Sequence, residues 1–190
     1  MSLGAAWSTG WRIPSGPGSH GAAPSRRIPV LVLLGGLALA GCESPDPKAE
    51  MELVELETFW AVDPSVGQTS YIAPTARVVF KNKGVKPQRS IQATATFRRK
   101  GEEGVTWGSA WAQVAGAAKP LPVGEAAEVV LKSDARYTSP GPPEAMFGNE
   151  QFMDAQVEVF VRAGSSGWVK FGEADVDRRI GSRRVEGFQG

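Results

Sequence analysis

The chain has very little histidine and cysteine, the residue types that carry much of enzyme chemistry. Its 190 residues include one histidine, His20, and one cysteine, Cys42. If the N-terminal part is removed by processing, the remaining domain has no histidine and no free thiol. Ser-His-Asp and Cys-His catalysis, zinc or haem sites built on these ligands, and an internal disulfide are then excluded. We therefore predict a protein that is not an enzyme, with no catalytic residues, no metal and no cofactor.

The chain also lacks an excess of one charge and a long apolar run. Its 21 Lys and Arg residues nearly balance 20 Asp and Glu residues, which leaves a formal net charge of +1. Nucleic-acid-binding proteins usually show a basic stripe or face, so we expect no nucleic-acid partner. The apolar run at 28–38 is shorter than the roughly 20 residues that a membrane-spanning helix needs. The composition therefore indicates one ordinary globular domain.

The stretch from Arg26 to Cys42 has the parts of a secretory signal. Two arginines precede the apolar run, and Leu39-Ala40-Gly41-Cys42 follows it. This arrangement resembles the signal peptide and lipobox of bacterial lipoproteins. The resemblance implies cleavage between Gly41 and Cys42, and attachment of lipid to Cys42. Two readings remain beside it: a secretory signal with an incidental cysteine, and a short membrane anchor.

The same resemblance implies a place in the cell. Several acyl chains on one cysteine hold a protein firmly on a membrane, whereas one chain binds only marginally. Glu43 follows the cysteine, in place of the Asp that retains some lipoproteins in the inner membrane. We therefore expect a cell-envelope protein that is lipid-anchored in the outer membrane and faces the periplasm.

The predicted organisation has four parts. Residues 1–41 form the signal peptide with a Gly/Ser/Pro-rich N-terminal extension, and residues 42–50 form a lipidated flexible tether. A single β-sandwich domain follows at 51–182, and a C-terminal tail at 183–190. About 150 residues remain after processing, which is enough for one domain with a real core.

Period-two alternation is the main structural signal of the domain. It is clearest at 71–82, 90–99 and 156–162, where apolar residues alternate with polar ones. Further strand-like segments lie at 105–114, 127–131 and 168–180, the last with a predicted bulge at Gly172. The residues predicted to face inward in the three clearest strands are Ala76, Val78, Phe80, Ile91, Ala93, Ala95, Phe97, Val157, Val159 and Val161.

The first segment, 51–62, fits a strand but also has helical spacing at Leu53, Leu56 and Trp60. As a strand it places Leu56, Trp60 and Val62 on one face and Leu53 with Phe59 on the other. About seven short strands separated by Gly/Pro turns predict an all-β fold, a single antiparallel immunoglobulin-like sandwich. The segment 78–99 resembles the hairpins of many bacterial surface sandwich domains.

Four aromatic residues form the candidate binding surface: Trp107, Trp111, Tyr137 and Phe147. The two tryptophans are four residues apart, so a regular strand would point both to one side, either into the core or outward as a platform. Tyr137 and Phe147 lie in a long stretch without periodicity, 133–149. Such a stretch is either a functional loop or a crossover packed over the sandwich edge.

Carboxylates are the remaining source of chemistry. Asp175 and Asp177 would share a strand face, and a retaining glycosidase needs two carboxylates about 5 Å apart in a cleft. Asp134, Glu150 and Asp154 could contribute to a calcium site, although no EF-hand spacing accompanies them.

The sequence thus predicts a membrane-anchored lipoprotein whose β-sandwich is a binding or interaction module for an envelope protein or ligand. One alternative is a carboxylate-dependent envelope enzyme that acts on glycan. Another is an accessory subunit of an envelope complex, whose sheet edge pairs with a strand of its partner.

Overall fold

The computed structural model describes residues 46–66 and 69–181. The leader, the lipobox with Gly41 and Cys42, and the tail at 183–190 lie outside the described residues. The described helices are α1 (Pro47–Glu50) and a 3-10 helix (Pro143–Gly148), and neither is long and apolar enough to cross a membrane. The strands are β1 (Met51–Val66), β2 (Thr69–Asn82), β3 (Ile91–Arg99), β4 (Gly108–Ala115), β5 (Ala126–Lys132), β6 (Tyr137–Pro140), β7 (Ala155–Ala163), β8 (Val169–Asp175) and β9 (Ile180–Gly181).

The strands form two sheets packed face to face, which confirms the predicted all-β sandwich. The first sheet has the order β5-β2-β1-β9, with β6 also paired to β2, and the second has the order β4-β3-β7-β8. All pairs are antiparallel except β1 with β9. Strands β1, β2 and β5 take the places of strands A, B and E of an immunoglobulin-like sandwich. Strands β3, β4, β7 and β8 take those of C, C′, F and G.

The alternation read from the sequence points the correct side chains into the core. All ten residues predicted to face inward in β2, β3 and β7 are fully buried, from Ala76 at the start to Val161 at the end. They meet in one apolar cluster between the sheets, together with Trp60, Ile72 and Leu131. Because a shift of one residue would turn every side chain around, this burial fixes the register of the sheets.

Strand β1 departs from the predicted faces because it contains a bulge. The partner of Leu53 is Phe80, but the next paired residue, Glu55, faces Val79, so one residue is extra. The bulge allows both Leu53 and Leu56 to pack against the core, although they were predicted on opposite faces. Val62 shares a face with Trp60, as predicted, since the register between them is regular, but it is exposed while Trp60 is fully buried.

The folded structure begins before Met51, within the stretch 42–50 that was predicted as a tether. The carboxylate of Asp46 accepts a hydrogen bond from the Lys48 backbone and caps the short helix α1, in which Pro47 is buried. The backbone carbonyl of Glu50 accepts hydrogen bonds from the backbone of Lys83 and Gly84, at 3.0 and 3.1 Å. Residues 46–50 are therefore held against the β2–β3 connection.

The segment 168–180 is two strands in different sheets and not one. Strand β8 ends at Asp175 after a register shift beside Gly172, which agrees with the predicted bulge. Val176 is buried, and the chain then crosses to the first sheet, where Ile180 pairs with Trp60. A Cβ on Gly172 would lie 2.7 Å from a methyl of Leu53, so glycine permits this close approach between the sheets.

The long stretch 133–149 is a packed crossover. It contains β6, which pairs with the start of β2, and the 3-10 helix, which places Met146 in the core. It connects the first sheet to β7 of the second and covers one end of the sandwich. Of the two interpretations of this stretch, the crossover therefore describes its structure.

Candidate binding surface

Trp60 is the centre of an aromatic cluster at one end of the sandwich. Its ring lies 5.1 Å from Phe152, 5.8 Å from Tyr137 and 6.3 Å from both Trp107 and Phe147, measured between centroids. Trp60 is fully buried, and its indole Nε1 has no hydrogen-bond partner. The cluster extends the core between the sheets, where tilted and edge-on ring pairs add to the stabilisation from burial.

Three of the four predicted surface aromatics belong to this cluster and not to a binding platform. Trp107 lies 4.8 Å from Tyr137, and the ring of Phe147 meets that of Phe152 edge-on at 5.4 Å. Trp107 and Trp111 do not face the same side, because β4 begins only at Gly108 and Trp107 precedes it. The period-two rule therefore does not extend from Trp111 back to Trp107.

A small cavity opens beside the cluster. Its volume is about 290 Å³, and its lining includes Arg99, Tyr137, Asn149, Gln151 and Phe152. The guanidinium of Arg99 is already paired with the carboxylate of Glu102 at 2.7 Å. The hydroxyl of Tyr137 lies 3.3 Å from both the backbone N–H and the carbonyl of Met153. The guanidinium of Arg99 and the hydroxyl of Tyr137 thus already have partners within the fold.

Trp111 is the predicted site residue that faces solvent. It lies on the outer face of the second sheet opposite Thr94, and 58% of it is exposed. On the other side of Thr94 lies Phe160 of β7, which is half-buried and also points outward. Neighbouring strands are about 4.8 Å apart, so the two rings stand roughly 10 Å from each other across β3.

Trp168 continues this strip at the far edge of the sheet. It is 41% exposed, and the guanidinium of Arg162 lies 4.9 Å from its ring centroid. The same guanidinium donates a hydrogen bond to the side chain of Gln92, whose neighbour across the sheet is Gln113. We call the set Trp111, Phe160, Trp168, Arg162, Gln92 and Gln113 the aromatic face.

Phe160 and Trp168 were missed in the sequence. Phe160 lies between Glu158 and Arg162 at an outward position of a clearly alternating strand. An aromatic residue among polar neighbours at an outward position was the available signal. Trp168 directly follows a Gly-rich turn, so no alternating pattern of apolar and polar residues leads up to it and shows on which face of the sheet it lies.

Arg162 has no carboxylate partner among residues 46–66 and 69–181, and its Nε is buried without a hydrogen bond. The other half of the same sheet face is neutralised by ion pairs. There Glu158 lies between Lys170 and Arg98, at 2.7 and 2.5 Å. The hydrogen bond from Lys170, together with the nearby Arg98, lowers the pKa of the Glu158 carboxyl. An unpaired cation thus remains beside the exposed rings.

The outer face of the first sheet has a different character. The guanidinium of Arg77 bonds the carboxylates of Glu55, Glu57 and Glu128, and Glu57 also bonds Arg179. The hydrogen bond from Arg77 is the main reason that the pKa of Glu57 is lowered. This face is an ion-pair network, whereas the aromatic face combines rings, amides and one unpaired cation.

Four of the acidic residues considered for catalysis or calcium binding have partners elsewhere in the fold. Asp175 pairs with Lys100 at 2.6 Å, Asp177 lies 3.6 Å from Arg179, and both carboxylates are more than half exposed. Asp154 accepts two hydrogen bonds from Arg178, and Asp134 accepts one from the Ser109 backbone. Within the described part of the chain, no three acidic, histidine or cysteine side chains group as metal ligands would.

The fold and this surface define an all-β sandwich with one aromatic outer face. No protein-family model matches the chain, and no curated protein matches it. Among solved structures, β-glucuronidase 2 from Bacteroides uniformis is 14% identical over 66% of this chain, with a TM-score of 0.38. The chain spans only 12% of the length of that enzyme. The ApaA protein from Bordetella pertussis is 15% identical, with 70% of this chain and 98% of that chain covered and a TM-score of 0.33. Likenesses at this level assign no function.

Proposed function

We propose that this protein is a lipid-anchored binding module of the bacterial cell envelope, and that it binds its ligand with the aromatic face. The observation that carries the proposal is the exposure of Trp111 on the flat outer surface of the second sheet. A tryptophan at such a position covers a large area of ligand with little loss of side-chain entropy, and tryptophans dominate binding energy at interfaces.

The neighbours of Trp111 favour a ligand with flat apolar patches and polar or anionic groups. Phe160 and Trp168 extend the ring surface across the sheet, while Gln92 and Gln113 offer amides that both donate and accept hydrogen bonds. Arg162 adds a cation that no carboxylate of the described chain neutralises. Envelope glycans and protein surfaces both carry such chemistry, and the binding experiment below distinguishes them.

The lipid anchor in this proposal rests on the lipobox residues Leu39 to Cys42. We expect that Cys42→Ser moves the protein from the membrane fraction to the soluble fraction and abolishes its labelling with a palmitate analogue. The matched control is Ala40→Ser, a small-for-small change within the lipobox that should leave both readouts intact. Lipid labelling that persists in Cys42→Ser would contradict the anchor.

The aromatic face can be tested separately from the anchor. The Cys42→Ser protein, which cannot be held by its own lipid, is mixed with purified peptidoglycan sacculi or with detergent-extracted envelope proteins. We expect the double change Trp111→Ala/Trp168→Ala to weaken binding by about tenfold or more, because it removes two exposed anchors. Val85→Ala is the matched control, since Val85 is 94% exposed but lies in the β2–β3 connection and is not part of the aromatic face. Equal binding by the two variants would refute the proposed surface.

The alternative of a carboxylate-dependent enzyme requires two carboxylates facing each other in a cleft. The pair considered for this role, Asp175 and Asp177, is open to solvent, and each carboxylate lies beside a cation. This arrangement favours the binding module over the enzyme.

A further inference from the structure

Strand β4 is an edge strand without the usual protection against pairing with another strand. Sheet edges normally carry charged residues or proline, which discourage other strands from adding to them. The edge strand β5 carries Glu128 and Lys132, and the edge strand β8 carries Lys170, Glu173 and Asp175. Strand β4 has the sequence GSAWAQVA, and no charged residue or proline occurs anywhere from 105 to 118.

The backbone of β4 shows which groups face the open edge. The Ser109 N–H donates to the Asp134 carboxylate at 2.7 Å, and the Ser109 carbonyl accepts from the Asp134 N–H at 3.1 Å. Both Ser109 groups therefore point away from β3. The backbone N–H and C=O groups of every second residue in a strand point to the same side. The N–H and C=O groups of Trp111 and Gln113 therefore face the open edge as well. Outside the sheet ladder, the described structure gives neither backbone a hydrogen bond.

We propose that this edge pairs with β4 of a second copy of the chain. The two strands run antiparallel about a twofold axis through Ala112, so that Trp111 exchanges backbone hydrogen bonds with the partner's Gln113, and Gln113 with the partner's Trp111. The two four-stranded sheets then form one sheet of eight strands. Both aromatic faces lie on the same side of this sheet, with the two Trp111 rings near its centre.

Charge is the reason that a second copy fits this edge. In antiparallel pairing about a twofold axis, residues equally spaced on either side of the axis face each other, and like charges that meet in this way are destabilising. Trp111 therefore meets the partner's Gln113 and Ala112 meets its own counterpart, and because β4 carries no charge, no like charges meet along the paired strands. The side chains that point inward along the open edge, Ala110, Ala112 and Val114, are small enough to pack against their counterparts. A groove of about 660 Å³ lies beside Gln113 and Val114, with residues of the 119–129 segment on its other side.

The open edge is short, which sets the strength of the pairing. Asp134 covers it at Ser109, and the register of β4 with β3 shifts before Ala115. Few hydrogen bonds form across such an edge, so the free proteins should associate weakly. If both copies are anchored on one membrane, as the proposed function states, their effective concentration rises and weak pairing becomes sufficient.

The test is a cross-link at the twofold axis in the full-length protein. In the proposed register Ala112 faces the partner's Ala112 in a non-hydrogen-bonded pair, where Cα atoms are about 4.5 Å apart and a disulfide can form. Membrane fractions that contain Ala112→Cys are oxidised and separated without reductant. We expect a disulfide dimer, which mass spectrometry identifies as two copies of this chain. The wild type, with Cys42 alone, and Glu173→Cys on the β8 edge should give several-fold less.

A charge exchange tests the register itself. Added to Ala112→Cys, the pair Trp111→Lys/Gln113→Lys places lysines opposite lysines and should reduce the cross-link several-fold. The pair Trp111→Glu/Gln113→Lys places Glu opposite Lys and should restore it. Equal cross-linking by these two variants, or by Ala112→Cys and Glu173→Cys, would overturn the proposal. So would a cross-link from position 112 to a different protein, which would mean that β4 receives a foreign strand. Fractionation before oxidation shows whether the chain is membrane-bound, so failure of the anchor is distinguished from failure of the pairing.

Discussion

The contrast between Trp60 and Trp111 gives the most direct test of the structure. Both residues occur in strands, but Trp60 is fully buried among four other rings, while Trp111 is 58% exposed. Replacement of a buried Trp by Ala costs about 3–5 kcal/mol of folding free energy, because it removes apolar contacts and leaves a cavity. Replacement of an exposed side chain usually changes stability by about 0.5 kcal/mol or less.

These energies convert into melting temperatures through the entropy of unfolding. A domain of roughly 135 residues unfolds with an entropy near 0.28 kcal/mol/K at its midpoint. We therefore expect Trp60→Ala to lower the Tm by roughly 10–18 °C, and Trp111→Ala by about 2 °C or less. Trp60→Phe should cost less than Trp60→Ala, because a ring remains and the buried Nε1–H without a partner is removed.

The assay is thermal unfolding followed by far-ultraviolet circular dichroism on the three variants and the parent protein at one pH. Chemical denaturation on the same samples supplies the free energies at a common temperature. Similar Tm shifts for Trp60→Ala and Trp111→Ala would refute the assignment of one to the core and the other to the surface. A larger loss for Trp111→Ala would also contradict the orientation of β4.

Three further predictions concern stability. Phe80→Ala and Val159→Ala should each cost about 2–4 kcal/mol in chemical denaturation, since both side chains are fully buried between the sheets. Asn82→Ala should cost about 2–4 kcal/mol, because the buried amide bonds the Lys86 and Leu121 carbonyls and the Gly84 N–H, and a smaller loss would contradict this network. The pKa of Glu158 is lowered in the folded state, so its ionised carboxylate stabilises the fold at neutral pH. This stabilisation is lost as the pH falls below about 4.3 and through the folded-state pKa. Glu158→Gln should therefore be less stable than the parent at neutral pH, and a difference that does not shrink at acid pH would contradict the ion pair.

The alternation of residues was sufficient to predict the sandwich, because most strands bury one face only. Ala76, Val78 and Phe80 could be assigned inward from their spacing, and the structure buries all three completely. The period-two rule failed at a β-bulge, where one strand has an extra residue, and at the end of a strand. The bulge after Leu53 reverses the predicted face of that residue, and the start of β4 at Gly108 separates Trp107 from Trp111. Bulges and strand ends depend on contacts with distant strands, which spacing alone does not contain.

The candidate site was harder to predict than the fold. Of the four aromatics chosen from the sequence, only Trp111 belongs to the exposed face, because Trp107, Tyr137 and Phe147 join Trp60 and Phe152 in the end cluster. A sequence cannot separate an aromatic residue that closes the core from one that faces solvent when both lie next to loops. Phe160 shows the exception, since its outward position follows from the strict alternation of β7.

The two proposals together determine how the domain would lie on the membrane. Residues 46–50 are packed against the sandwich, so only residues 42–45 are left to connect it to the lipid, a reach of roughly 14 Å at full extension. Antiparallel pairing of two β4 strands reverses the direction of one domain relative to the other, so both anchors reach one membrane only if the strands lie along it. In the paired sheet the aromatic faces of both copies lie on one side and form one continuous surface.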